Sequence, residues 1–247
     1  MSGAHGSGGS ANTATFRSAV LSPLQQRIRH IVASLPASKD VALAGGAALI
    51  LHGVVDRTTS DLDFFGTRPD QVDQLLPTLE RALTEEGLTV ERVKVETGFA
   101  RLVVTSGAEQ TVIDLAWDAR RLPPIDTSGG LLLAEDELAA DKTLALFGRA
   151  AARDFIDVAA LTTRYSLDEL CGLASEKDPG FDKSVLADMV SHIDRLPQAE
   201  FALGADEYQR LREQVSEWRR HLLGVDREHP ELGPSRRTRQ DPPELSL

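Results

Sequence analysis

The chain is short of cysteine, of aromatic side chains and of long apolar runs, and its bases are outnumbered by its acids. A single cysteine, Cys171, excludes an internal disulfide and a structural cysteine–zinc site, since both need more than one thiol. No stretch approaches the ~18 consecutive apolar residues that span a membrane. The opening MSGAHGSGGSANTATF has no basic stretch followed by an apolar one. It therefore does not read as a secretory signal, and the expected compartment is the cytoplasm. Lys and Arg number 27 against 38 Asp and Glu, a formal charge of −11. Non-specific affinity for phosphate comes from Lys and Arg, so this balance excludes a generic basic nucleic-acid coat and argues against anionic membranes. A local basic site remains open. Aromatics are only 5%, yet hydrophobic residues make up 41% of 247, enough for a full core in one domain or one domain with an appendage.

The two ends differ from the middle. Residues 1–16 are rich in Gly, Ser and Ala and read as a flexible segment. Residues 225–247 contain four prolines without apolar periodicity and read as a disordered tail. Between them, Ser22, Pro23 and Gln25 form a helix start with a capping box, followed by Leu24, Ile28, Ile31, Val32 and Leu35 at helical spacing. The apolar run Val41 to Ala44 ends at Gly45-Gly46, and a short helix over 47–52 follows. Ser60 to Phe65 reads as a strand, and Val72, Leu75, Leu76, Leu79 and Leu83 mark an amphipathic helix. Strand-like runs cover 88–95, 100–105 and 111–117, with Ser106-Gly107 as a hairpin turn between the last two. From about Asp136 the pattern is helical. The last helix is marked by Tyr208, Leu211, Val215, Trp218 and Leu222. The expectation is an α/β (α+β) core over 17–130 with a mixed sheet, then an α-helical unit over 131–224.

Chemistry is concentrated in three places. On the strand SDLDFF, residues two apart share a face, so Asp61 and Asp63 project together, opposite Leu62 and Phe64. Two such acids repel each other, and burying them uncompensated costs several kcal/mol. A divalent cation removes that cost, and Mg²⁺ prefers carboxylates, water and phosphate oxygens. The plainer alternative is a solvated acidic pair at a strand end. Ahead of it, strand, Gly45-Gly46 and helix make a tight turn whose backbone N–H groups can accept phosphate, or an ordinary glycine turn. In TVIDLAW, Asp114 interrupts an apolar strand and needs a partner. Beside SDLDFF it becomes a third carboxylate, and three carboxylates can hold two metal ions about 3.5–4 Å apart for in-line displacement at phosphorus. Otherwise it pairs with Arg57, Arg101 or another base.

The third place is EDELAADKTLALFGRAAARDFIDVAAL. On one continuous helix Lys142, Arg149 and Arg153 fall within ~40° of one another, although Gly148 can break that helix. Asp157, one turn beyond Arg153, is placed to orient it. The cations form either a wall opposite the carboxylates that neutralises nucleotide phosphates or a salt-bridged helix face. No histidine has metal-ligand spacing, Cys171 reads as a buried apolar side chain, and Trp117 and Trp218 read as core.

Together, LAGGAALILHGVVDRTTSDLDFF and LLLAEDELAADKTLALFGRAAARDFIDVAAL resemble the two signatures of the AbiEii/AbiGii nucleotidyltransferase toxins, a group that includes the MenT toxins. The first signature falls on Gly45, Gly46, Arg57, Ser60, Asp61 and Asp63, the second on Glu137, Lys142, Arg149, Arg153, Asp154 and Asp157. The resemblance covers about residues 20 to 165. It implies the nucleotidyltransferase fold shared with DNA polymerase β. It also implies Mg²⁺, or Mn²⁺ in its place, on Asp61, Asp63 and Asp114, with Asp61, Asp63, Asp114 and Lys142 as catalytic residues. An NTP substrate would lie against Gly45, Gly46, Arg57, Ser60, Lys142, Arg149, Arg153 and Asp157. The implied acceptor is the 3′ end of an RNA, in the first place tRNA, whose aminoacylation the added nucleotide blocks. The implied partner is an antitoxin from the neighbouring gene. Small-molecule and protein acceptors, and a non-catalytic protein with the same fold, are the rival readings. One departure stands out: Arg57 is followed by Thr58-Thr59-Ser60 where the signature has one residue between Arg and Ser.

The charge now reads differently. Residues 165–217 hold 12 acids and 5 bases, so most of the net acidity lies outside the expected site.

Overall fold

A computed structural model describes residues 21–225. The expected flexible start and the proline-rich end from 226 onward lie outside the described residues. The chain begins with α1 (Pro23–Ser34), capped by Ser22, whose hydroxyl accepts from Gln25 N–H while the Gln25 side chain accepts from Ser22 N–H. The order is then β1 (Ala42–Ala44), α2 (Gly45–Leu51), β2 (Asp61–Gly66), α3 (Pro69–Glu85), β3 (Thr89–Glu96), β4 (Phe99–Ser106) and β5 (Glu109–Trp117). A small hairpin, β6 (Ile125–Thr127) and β7 (Gly130–Leu132), leads into the helices α4 (Glu135–Gly148), α5 (Ala152–Leu161), α6 (Leu167–Lys177), α7 (Lys183–Val190) and α8 (Ala205–Leu222).

The seven strands form one mixed sheet in the order β3-β4-β5-β2-β1-β7-β6, with β2–β5 and β1–β7 parallel and the other pairs antiparallel. Period-two alternation gives the sheet two unlike faces. Leu62, Phe64, Leu102, Ile113 and Leu115 are buried on one side, where α1 and α3 pack their apolar stripes. Asp61, Asp63 and Asp114 share the other side, partly covered by α2. The helices after β7 join the sheet unit through α4, which packs on α2 and on α5, α6 and α7. Among the described residues no helix is long and apolar enough to cross a membrane.

Three expectations change. The β6–β7 hairpin was not foreseen. Its strands are three residues each, too short for a period to show, and they are held by pairing β7 to β1. The second change concerns the segment carrying the three cations, which is not one helix. α4 ends at Gly148, Ala150 adopts φ 46°, and α5 starts afresh at Ala152. Finally, Trp117 is half exposed at 50%, because it is the last residue of β5, whereas Trp218 and Cys171 are core as expected. Burial pushes the Cys171 thiol up to about 11, which leaves it unreactive.

Candidate active site

Sheet register brings the acids together. Asp63 on β2 lies directly beside Asp114 on β5, and the parallel pairing keeps Asp61 two positions away on the same face. On its other side Asp63 pairs with Ala44 of β1, so the next residue, Gly45, turns directly over the carboxylate. A Cβ on Gly45 would stand 1.8 Å from Asp63 Oδ2, and Gly45 adopts φ 62°. The glycine is therefore required twice over, by the left-handed backbone and by the close approach. The turn belongs to the first residues of α2 rather than preceding the helix. Gly46 lies under the guanidinium of Arg57 and the hydroxyl of Thr59, which a Cβ would meet at 3.0 and 3.3 Å. Gly45→Ala is expected to unfold more easily than Gly53→Ala. Both have positive φ, but a Cβ on Gly53 would meet only Arg164 Nη2 at 3.7 Å. Backbone strain costs each about 1–2 kcal/mol, and only Gly45→Ala also displaces Asp63. Equal thermal midpoints for the two variants would show that Asp63 yields freely.

Each carboxylate has its own surroundings. Asp61 accepts from Thr59 Oγ1 at 2.7 Å and Ser60 Oγ at 3.4 Å, and its other oxygen meets Arg153 Nη1 at 3.3 Å. Burial pushes the Asp61 carboxyl up, but the Thr59 bond and the charges of Arg153 and Lys142 outweigh it and hold the group below the usual range. Asp63 is pushed up to about 6, first by burial and then by Asp61 and Asp114, against the opposing pull of Lys142 and Arg153. Asp114 accepts a two-pronged bond from Arg101, Nε–Oδ1 2.7 Å and Nη2–Oδ2 2.6 Å. The β4–β5 hairpin sets Arg101 directly opposite Asp114. The sequence posed Arg101 and the carboxylate set as alternatives for Asp114, and the structure contains both neighbours.

The cations arrive from α4, α5 and the loop before β2. Lys142 Nζ meets Asp157 Oδ2 at 2.8 Å, and Arg57 Nη2 meets Asp157 Oδ1 at 2.8 Å. Asp157 thus gathers Arg57, 100 residues earlier in the chain, and Lys142, from the preceding helix, and it does not orient Arg153 as the helical spacing implied. Arg57 also donates from Nε to Asp157 Oδ1, at 3.3 Å. Arg149 forms two parallel bonds with Asp154, 2.8 and 2.7 Å, and Asp154 also accepts from Ala151 N–H. That pair fastens the break between α4 and α5. Glu137, from the second signature, lies elsewhere: it accepts from the N–H groups of Arg121 and Leu122 and pairs with the buried Lys177. It ties α4 to α6 and to the segment after β5.

The donor set fits a hard divalent cation in chemistry: three carboxylates on one face of the sheet, with Asp63 repelled by its two acidic neighbours. As the side chains stand, Asp61 and Asp114 turn to arginines. Among the described residues no three His, Cys, Asp or Glu side chains converge as a metal-holding group.

This mixed sheet, with an acidic strand pair beside a glycine turn and helices following it, is a nucleotidyltransferase fold. Two solved structures from Helicobacter pylori share it. JHP933 is 19% identical, the match covering 85% of this chain and 97% of that one, with a TM-score of 0.51. A protein assigned as a nucleotidyltransferase is 18% identical, covering 81% of this chain and 96% of that one, also with a TM-score of 0.51. No curated protein matches significantly. The family profile described as nucleotidyl transferase AbiEii toxin, type IV toxin–antitoxin system, matches residues 29–238, and the chain belongs to that family. Membership implies a cognate antitoxin.

Proposed function

We propose that this toxin transfers a nucleoside monophosphate from an NTP to the 3′-hydroxyl of an RNA acceptor, tRNA in the first place, and so blocks aminoacylation. The observation that carries the reading is the register of β2 and β5, which sets Asp114 beside Asp63 and Asp61 within the field of Lys142 and Arg153. Asp61, Asp63 and Asp114 would hold Mg²⁺, which, when bound, lowers the pKa of a coordinated hydroxyl and neutralises phosphate charge.

The acceptor oxygen forms a bond to the α-phosphorus as the bond to the β-phosphate bridge breaks, and pyrophosphate leaves. The hydroxyl proton passes to a carboxylate of this set, a role we assign to Asp114. Gly45 and Gly46, lacking a Cβ, leave room for Asp63 and for Arg57 and Thr59, the side chains packed on the turn against which the triphosphate would lie. Lys142, 11% exposed and held by Asp157, supplies a fixed positive charge for the phosphates. Arg57 is held by the same carboxylate, Ser60 and Arg153 lie at the exposed rim, and Arg149, paired with Asp154, adds positive charge within the field of Asp63.

The test is incorporation of each labelled NTP into total tRNA, an aminoglycoside and candidate proteins. Transfer to tRNA is expected, with Asp61→Ala and Asp63→Ala reduced at least about a thousandfold. Incorporation only into the aminoglycoside or protein replaces the acceptor assignment. Unchanged incorporation by both variants overturns the site.

A further inference from the structure

Cations around the carboxylates fall into two kinds. Lys142 is 11% exposed and its partner Asp157 0%, so that pair is fixed in the interior. Arg101 and Arg153 are different: their side chains are 47% and 58% exposed, and only their carboxylate partners are sheltered, Asp114 at 11% and Asp61 at 25%. Either arginine can swing into water and rehydrate without leaving a hole in the core. Arg101 uses its guanidinium fork to occupy both oxygens of Asp114. Arg153 takes the Asp61 oxygen left over by Thr59 and Ser60. Asp63, between them, has no hydrogen-bonded cation among the described residues. The arginines therefore neutralise the outer two carboxylates and leave the middle one exposed to its neighbours' repulsion.

We propose that Arg101 and Arg153 are exchangeable counter-ions of this carboxylate set, which a divalent cation displaces from Asp114 and Asp61 when it binds. The inference rests on the cation reading given under Proposed function. It makes Arg101 a positioning residue whose effect runs through Asp114. It also gives a consequence opposite to ordinary intuition. Removing a residue beside the site tightens cation binding, because the arginine and the ion compete for the same oxygens. A residue that merely props Asp114 in a liganding pose would have the reverse effect.

The experiment is calorimetric titration of Mg²⁺ and of Mn²⁺ into the full-length protein without nucleotide, beside thermal unfolding in EDTA and at saturating Mg²⁺. The variants are Arg101→Met, Arg101→Lys and Arg153→Met. Arg101→Met keeps an apolar stem and loses the competing charge. Its cation affinity is expected to rise about tenfold, the scale of one charge-assisted pair at a half-exposed site. In EDTA it melts below wild type, since Asp114 loses its counter-ion, and saturating Mg²⁺ raises its midpoint more than that of wild type. Arg101→Lys, which keeps the charge without the fork, falls between. Should Arg101→Met not fold, the same ordering of Arg101→Lys and Arg153→Met against wild type decides the matter. Wild type binding the cation with Arg101→Met equal to it or weaker overturns the exchange and leaves the cation reading intact. Wild type and all variants failing to bind overturns both.

Discussion

Asp63→Asn is expected to abolish transfer while making the protein more stable at neutral pH in EDTA. The reason is the position of Asp63 between Asp61 and Asp114, half-buried and pushed up to about 6. An acid whose folded pKa lies above its unfolded value, near 3.9, holds its proton longer in the native state. Stability then falls as pH rises through the unfolded pKa towards 6, and the full penalty applies above 6. A shift of about two units corresponds to about 3 kcal/mol at most. The asparagine has no charge to desolvate, so the gain over wild type appears as pH passes from about 4 to 6 and stays constant above. Thermal unfolding between pH 4 and 8 reads it, with a gain of up to about 10 °C at pH 7.5 for a chain of this size. Added Mg²⁺ is expected to stabilise wild type and not the variant. A variant less stable than wild type at pH 7.5 would show that the attraction of Lys142 and Arg153 for Asp63 exceeds the repulsion.

The second large effect belongs to Asp157→Ala. This carboxylate is fully buried and holds Arg57 from the loop before β2 and Lys142 from α4. Removing it leaves Lys142, itself only 11% exposed, as an uncompensated charge next to the core of the helical unit. Breaking a buried pair in this way costs about 3–5 kcal/mol, which lowers the midpoint by about 6–20 °C for this size. Transfer is expected to fall as well, since Lys142 and Arg57 lose their common anchor. Arg57→Ala is the companion: Arg57 is 30% exposed and Asp157 keeps Lys142, so the loss of stability is smaller. Equal midpoints for Asp157→Ala and wild type would mean that Lys142 finds another carboxylate in the site.

Much of this arrangement is legible along the chain because the controlling distances are short. Asp61 and Asp63 share a face by strand period alone, and the capping box at Ser22 and the stripe of α3 need only local rules. The hairpin turn at Gly107 fixes Arg101 opposite Asp114 once the register is counted from Ser106 and Glu109. What escapes is whatever depends on two segments meeting from afar. Helical spacing put Asp157 with Arg153, and the two do lie one turn apart on α5, yet Asp157 is taken by Arg57 and Lys142 while Arg153 reaches Asp61. Glu137 shares a sequence signature with Lys142 five residues away, but it lies on another side of α4, against Lys177. The β6–β7 hairpin has no internal pattern at all and exists because β1 offers an edge.

The sequence by itself determined which side chains are the candidates for the chemistry: the acids, the glycine turn and the cations of α4 and α5. These are set by residue type and by periods of two and of about 3.6 residues. Tertiary structure alone decided how they are paired. Parallel pairing of β2 with β5 makes Asp114 the neighbour of Asp63, and the turn between α4 and α5 chooses which cation meets which acid. Charges act through space over a few ångströms. Their partners follow from how the strands and helices are brought together, which spacing along a single element does not contain.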